Sequence, residues 1–262
     1  MSKKTSLVLI IFCFFLTLNS SNFKHYKTSY KIDSSILLPS SILLGYSLYK
    51  NQNLSYSDSI KKINNPKNDF IFFDKYALFA YNQKFSKLSD YLVSICILMP
   101  YTLNFNKSFT SNRLKNNFII SESYFTSASL VAFSKTFFMR KRPYTYIDNN
   151  SVKLLNNKDA NYSFFSGHTT LAFTGAILFV KMNNTLNPGK NNIILNTSAI
   201  TLASSVAILR YISGNHFPTD IFTGIIIGSV IACANLELHK NTHNSNNLST
   251  YSIPMISFDI KF

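Results

Sequence analysis

Long apolar stretches alternate along this chain with polar ones rich in asparagine and serine, and the apolar stretches are of helical rather than strand length. The clearest cover residues 118–138, 167–182, 193–212 and 219–238, near the lower edge of what a bilayer-crossing helix needs. Asn187-Pro188-Gly189 separates the second from the third. Upstream, 35–49 is apolar but interrupted by Pro39, which makes it a weak spanning candidate. Residues 51–68 are polar, with turn chemistry at Asn65-Pro66. Residues 70–85 mix aromatic side chains with Asp74, Lys75 and Lys84, a pattern that predicts an amphipathic helix. Ser89-Asp90 is placed to cap a further helix reaching about Leu103. At the end, Ile256, Phe258, Ile260 and Phe262 alternate with polar residues, as a short strand would. No internal repeat is visible. The expectation is an all-α helical bundle, associated with a membrane or standing free in a periplasm.

The first residues read as an export signal or N-terminal anchor: Lys3 and Lys4 precede an apolar run, 7–18, that ends in Asn19-Ser20-Ser21. Cys13 lies in that run with no small residue before it, which argues against a lipid-attachment site. Cys96 and Cys233 also sit in apolar stretches and read as small buried hydrophobes. The division that follows is 1–21 signal or anchor, 22–113 N-terminal helical segments, 114–240 core, and 241–262 polar tail.

Charge narrows the partners. Lys and Arg number 26 against 11 Asp and Glu, a net +15, which favours anionic partners such as acidic head groups or a phosphorylated substrate. Most of these cations are scattered through polar stretches and read as solvated surface, Arg140 and Lys141 among them. No zinc-finger spacing or aromatic RNA-binding signature is present, so nucleic acid is not an expected partner.

Three short patterns fall at the ends of the predicted helices. Lys135 is followed by six residues and Arg142-Pro143; then comes Ser166-Gly167-His168; then Arg210, five residues, His216, three residues and Asp220. If consecutive helices run antiparallel, all three meet at one end of the bundle. The residue types suit phosphoryl transfer. Arg142 and Arg210 offer forks that match phosphate oxygens, and Lys135 adds a point charge. Pro143 keeps Arg142 in extended backbone. Gly167 permits close backbone approach where a helix N-terminus presents free N–H groups, and Ser166 can cap that helix or bond phosphate. One histidine can attack phosphorus while the other protonates the leaving alkoxide, and Asp220 can hold the far ring nitrogen of His216. His25, His239 and His243 have no such partners and read as solvated. Nothing suggests a cysteine-based or two-metal phosphatase.

These patterns resemble the three signature motifs of the type 2 phosphatidic acid phosphatase and vanadium haloperoxidase superfamily. The first motif is matched by Lys135, Arg142 and Pro143. In the second, Phe165 stands where the family has proline, before Ser166, Gly167 and His168. In the third, Leu209 replaces a serine, while Arg210, His216 and Asp220 are in place. The resemblance spans about 118–238 and makes 114–240 a phosphatase core. It implies a metal-independent reaction without cofactor, a phosphohistidine on His216, and His168 as general acid. It further implies phosphate binding by Lys135, Arg142, Ser166, Gly167 and Arg210. Phe165 is expected to loosen the approach to the helix, and Leu209 to remove one hydrogen bond to phosphate.

The expected function is therefore hydrolysis of a phosphomonoester or pyrophosphate, most readily of a lipid. The alternatives are a vanadium-dependent haloperoxidase and a non-catalytic envelope protein that binds anionic lipid. Together with the leader, the resemblance implies a bacterial cell envelope, with the site on the periplasmic face of the inner membrane or in a soluble periplasmic protein. Lys107, Arg113, Lys115, Lys181 and Lys190, assigned to the opposite loops, fit the positive-inside rule.

Overall fold

Helical periodicity and punctuation translate into six α-helices in the computed structural model, which describes residues 26–53, 72–75, 78–106, 109, 112–147, 158–188 and 192–241. They are α1 Tyr30–Asn53, α2 Gln83–Leu98, α3 Arg113–Phe138, α4 Gly167–Leu186, α5 Ile193–Ile212 and α6 Pro218–Leu238. Among the described residues there is no strand, only an isolated bridge between Tyr26 and Lys240. The signal segment and the strand-like tail lie outside the described residues.

The apolar content of α4 explains its position at the centre. Ala172, Phe173, Ala176, Leu178, Phe179 and Met182 are all buried, and α4 packs against α2, α3, α5 and α6, while α1 lies along α3. Gly175 marks the tightest approach: a Cβ there would fall 2.2 Å from the carbonyl oxygen of Cys96 on α2. Serine and threonine fill the other close crossings without orphaning their hydroxyls. Ser123 and Thr170 donate to carbonyls one turn back, and Ser127 meets Thr174 at 2.9 Å between α3 and α4. Cys96 is buried and Cys233 half-buried, and both are free thiols.

Four local expectations give way to tertiary contacts. Residues 35–49 are part of a continuous α1 that runs through Pro39. Packing on α3 holds it, and Ser40 bonds both the Ile36 carbonyl at 2.7 Å and Thr126 at 3.2 Å. In place of an amphipathic helix over 70–85 there is a 3₁₀ turn, Phe72–Asp74, and residues 78–82 are non-helical. Asp74 is wholly buried, bound by side chains from elsewhere, so it cannot lie on a solvated helix face. Asn82, not Ser89-Asp90, caps α2, accepting from the N–H groups of Lys84 and Phe85. Ser89 and Asp90 are inside α2, and Ser89 turns its hydroxyl onto the Ser86 carbonyl at 2.6 Å. Of the loop cations, Arg113 and Lys115 belong to α3, with Lys115 buried, and Lys181 belongs to α4.

Among the described residues, three helical segments are long and apolar enough to cross a membrane: Gln83–Phe105, Ile193–Ile212 and Pro218–Leu238. Their outward faces expose Tyr91, Ile95, Ile194, Ile208, Phe222, Ile226 and Val230. Apolar side chains exposed along helices of this length suit lipid better than water.

Candidate active site

The chain leaves α3 just after Lys135. Met139 takes the left-handed conformation, φ 47°, and its N–H closes on the Lys135 carbonyl at 3.1 Å. Arg142 is extended ahead of Pro143, and its N–H donates to the Ala160 carbonyl at 2.8 Å. Its guanidinium is buried and aimed by two bonds: Nε to the Asp159 carbonyl at 2.8 Å and NH1 to Asn215 Oδ1 at 2.7 Å. Asn215 is fixed in turn by donating to Ser213 Oγ at 2.7 Å.

The entry to α4 is pinned by a bond that a proline could not make. Phe165 donates its N–H to Ser134 Oγ at 3.0 Å, and Ser134 donates to the Phe164 carbonyl at 2.7 Å. The replacement therefore ties this entry to α3 and does not loosen it. Ser166 is extended and its N–H reaches the Asp220 carbonyl at 3.1 Å. Its hydroxyl pairs with Thr169 Oγ1 at 2.9 Å and does not cap the helix. At Gly167 a Cβ would fall 2.9 Å from Val131 Cγ1 and 3.8 Å from Lys135 Nζ, so the close packing of α4 on α3 requires glycine. His168 follows, one-third exposed, with Nε2 2.8 Å from Asp90 Oδ1.

Arg210 ends α5. Its NH1 donates to Ser86 and Ser89 at 3.3 Å and to Asp90 at 3.5 Å, while Nε is buried with no hydrogen bond among the described residues. Asp90 thus joins His168 to Arg210. His216 is buried in the turn before α6. Burial, then the charges of Arg142, Arg210 and Lys135, hold its pKa well below the usual imidazole range, which keeps the ring neutral at physiological pH. His168 is pushed down likewise, by burial first and then by Arg210, His216, Lys135 and Arg142.

Asp220 differs from the expected tautomer-fixing partner. His216 Nδ1 lies 3.7 Å from Asp220 Oδ2, an ion-pair distance beyond hydrogen-bond range. That oxygen already accepts from Ser163 Oγ at 2.5 Å and from the Phe217 N–H at 2.9 Å. Oδ1 accepts from Arg140 NH1 at 2.5 Å.

Arg140 is not the surface charge that its sequence neighbourhood implies. It bridges two wholly buried carboxylates, Asp220 and Asp74, the latter at 2.6 Å. It also donates to Thr219 and lies 4.4 Å over the Phe217 ring. Asp74 accepts from the Thr219 hydroxyl at 2.7 Å, which completes a polar knot behind His216. Asp74, Asp90, Arg140, Ser163 and Asn215 escape a reading of the motifs. Asp74, Asp90 and Arg140 are legible as charges in the sequence, but their partners come from distant segments.

His239 is likewise not solvated. It is wholly buried just beyond the far end of α6, between Asp33 and Glu122. His25 and His243 lie outside the described residues. The structure brings Lys135, Arg142, Ser166, Gly167, His168, Arg210, His216 and Asp220 together at one end of the bundle. The three cations act electrostatically on both imidazoles there. Compared with known families, residues 117–243 match the PAP2 superfamily. No curated protein and no solved structure matches the chain.

Proposed function

Residues 117–243 belong to the PAP2 superfamily, and from that premise we propose that the protein is a phosphatase acting on lipid phosphates by way of a phosphohistidine. The observation behind this reading is one cluster that sets two imidazoles in the field of Lys135, Arg142 and Arg210. Such a cluster attracts a phosphate dianion, and fixed cations stabilise the charge redistributed over its oxygens in the transition state. Arg142 spends Nε and NH1 on orientation, which leaves NH2 for a phosphate oxygen. Arg210 has its unbonded Nε. The first N–H groups of α4, from Gly167 onward, add a helix N-terminus.

His216 attacks phosphorus with a ring lone pair, and the bond from phosphorus to the leaving oxygen breaks. Protonated His168 delivers its proton to that oxygen; the neutral ring then takes a proton from the water that cleaves the phosphohistidine. An arriving dianion offsets the cations that depress His168, so binding raises its pKa and supplies the acid form. Asp90, against His168 Nε2, favours the same protonated state. Asp220 acts on His216 through charge at 3.7 Å and by building the turn that holds it. This route uses no metal at the reacting phosphate and no cofactor.

A lipid substrate is favoured by the surface beside the site. Phe137 and Phe138, both exposed at the end of α3, meet each other and Phe164 with ring centroids 5.1 and 4.9 Å apart. Lys50, near the end of α1, lies 5.9 Å over the Phe137 ring. An aromatic and basic rim of this kind suits the head-group level of a bilayer. The site then faces the outer, periplasmic side of a bacterial inner membrane.

The leaving group tests the assignment of His168. With an alkyl or lipid phosphate, His168→Ala lowers kcat by about 10²–10⁴-fold. With p-nitrophenyl phosphate, whose phenolate departs without a proton, the loss is several-fold at most. Equal losses on both substrates would remove His168 from the acid role.

A further inference from the structure

The geometry points to a second site at the opposite end of the bundle: Asp33, Glu122 and His239 form a pocket for one divalent first-row transition-metal ion, zinc in the first instance. Asp33 comes from the first turn of α1, Glu122 from the early part of α3, and His239 from the residue that follows α6. Glu122 and Lys135 are thirteen residues apart on α3, about 20 Å along the axis at 1.5 Å per residue. The phosphate cluster and this one are therefore separate sites.

Three features fit a cation better than a hydrogen-bonded cluster. First, the donor atoms converge: one oxygen of each carboxylate and one imidazole nitrogen all lie within 4.8 Å of one another. His239 Nε2 is 3.1 Å from Asp33 Oδ1 and 3.2 Å from Glu122 Oε2. Tetrahedral bonds of about 2.1 Å place neighbouring ligand atoms about 3.4 Å apart, close to both distances. Second, Glu122 is 2 % exposed, and its oxygens meet only His239 Nε2, at 3.2 Å, and the Asn235 amide, neither in hydrogen-bond geometry. A buried carboxylate in that state is costly, and a cation removes the cost. Third, the single proton on Nε2 cannot serve two carboxylates at once. A metal there uses the lone pair instead, with the ring proton on Nδ1. The donor set of one imidazole and two carboxylates is typical of zinc and its neighbours, whereas calcium and magnesium favour all-oxygen shells. Asp33, with 18 % of its side chain exposed, provides the way in.

The ion would fasten three helix segments. Lys27 already donates its N–H to the His239 carbonyl at 2.7 Å, so the start of the described chain lies against the end of α6. Metal binding would lock that junction and stabilise the fold without touching the phosphate chemistry.

The test uses the untagged full-length chain in detergent, stripped with chelator and titrated with zinc alone by calorimetry and thermal melting. One equivalent should bind and raise Tm, and X-ray absorption of the wild-type complex should show a single imidazole with oxygen ligands. Glu122→Gln, which keeps the shape of the side chain, and His239→Ala should each lose that equivalent. His216→Ala should keep it while losing turnover, so this proposal and the phosphatase reading fail separately. Absence of a stoichiometric zinc ion in the wild type overturns the proposal. So does an absorption spectrum without imidazole, or a Glu122→Gln chain that binds as tightly as wild type.

Discussion

Replacing His216 with alanine should lower turnover of a lipid phosphate by about 10⁴-fold or more, with little change in KM. The imidazole is buried and held neutral by burial and by Arg142, Arg210 and Lys135, so it offers a lone pair at physiological pH. Alanine removes the nucleophile and leaves the three cations to bind phosphate as before. The fold should survive the change. His216 Nδ1 makes no hydrogen bond among the described residues, so alanine forfeits only the contact to the Ser163 backbone. Steady-state kinetics beside far-ultraviolet circular dichroism distinguish this from simple unfolding. Normal helicity with turnover within tenfold of wild type would contradict the role given to His216.

The second large effect concerns stability. Arg140→Ala should destabilise the protein by about 3–5 kcal/mol, because it leaves two buried carboxylates without their counter-charge. Asp74 and Asp220 are both fully enclosed, and Arg140 is the charged group that joins them. Thermal unfolding in detergent measures the loss. Removing one stranded charge as well should restore part of it, so Arg140→Ala with Asp74→Asn should melt above Arg140→Ala alone. A single variant that melts within a degree or two of wild type would mean that these pairs hold nothing together. Arg140→Lys should recover only part of the stability, since one ammonium cannot reproduce the fork that spans both carboxylates and Thr219.

Much of this arrangement is written in local signals. Apolar runs bounded by Asn-Pro-Gly or by Pro218 set the limits of α4, α5 and α6 to within a few residues, because punctuation of that kind acts on the backbone itself. Convergence of the motif residues followed from helix order alone. What escaped was decided by distant contacts. Pro39 reads as a break, yet α1 is continuous because it lies along α3. Asp74 and Arg140 read as surface charges, yet they find each other across 66 positions of chain. His239 reads as solvated for the same reason: its partners, Asp33 and Glu122, come from two other helices. Phe165 is the instructive case of a motif departure. Judged against the family pattern it is a lost proline; in the fold it is a gained N–H, used by Ser134.

Trapping the covalent intermediate tests the central claim most directly. The enzyme is mixed with substrate labelled at phosphorus, quenched in base within one turnover, and digested for mass spectrometry. The mechanism predicts an acid-labile, base-stable phosphoryl group on the peptide carrying His216, absent from the His216→Ala chain. A label on any other residue would contradict it, as would full turnover with no labelled enzyme at any quench time.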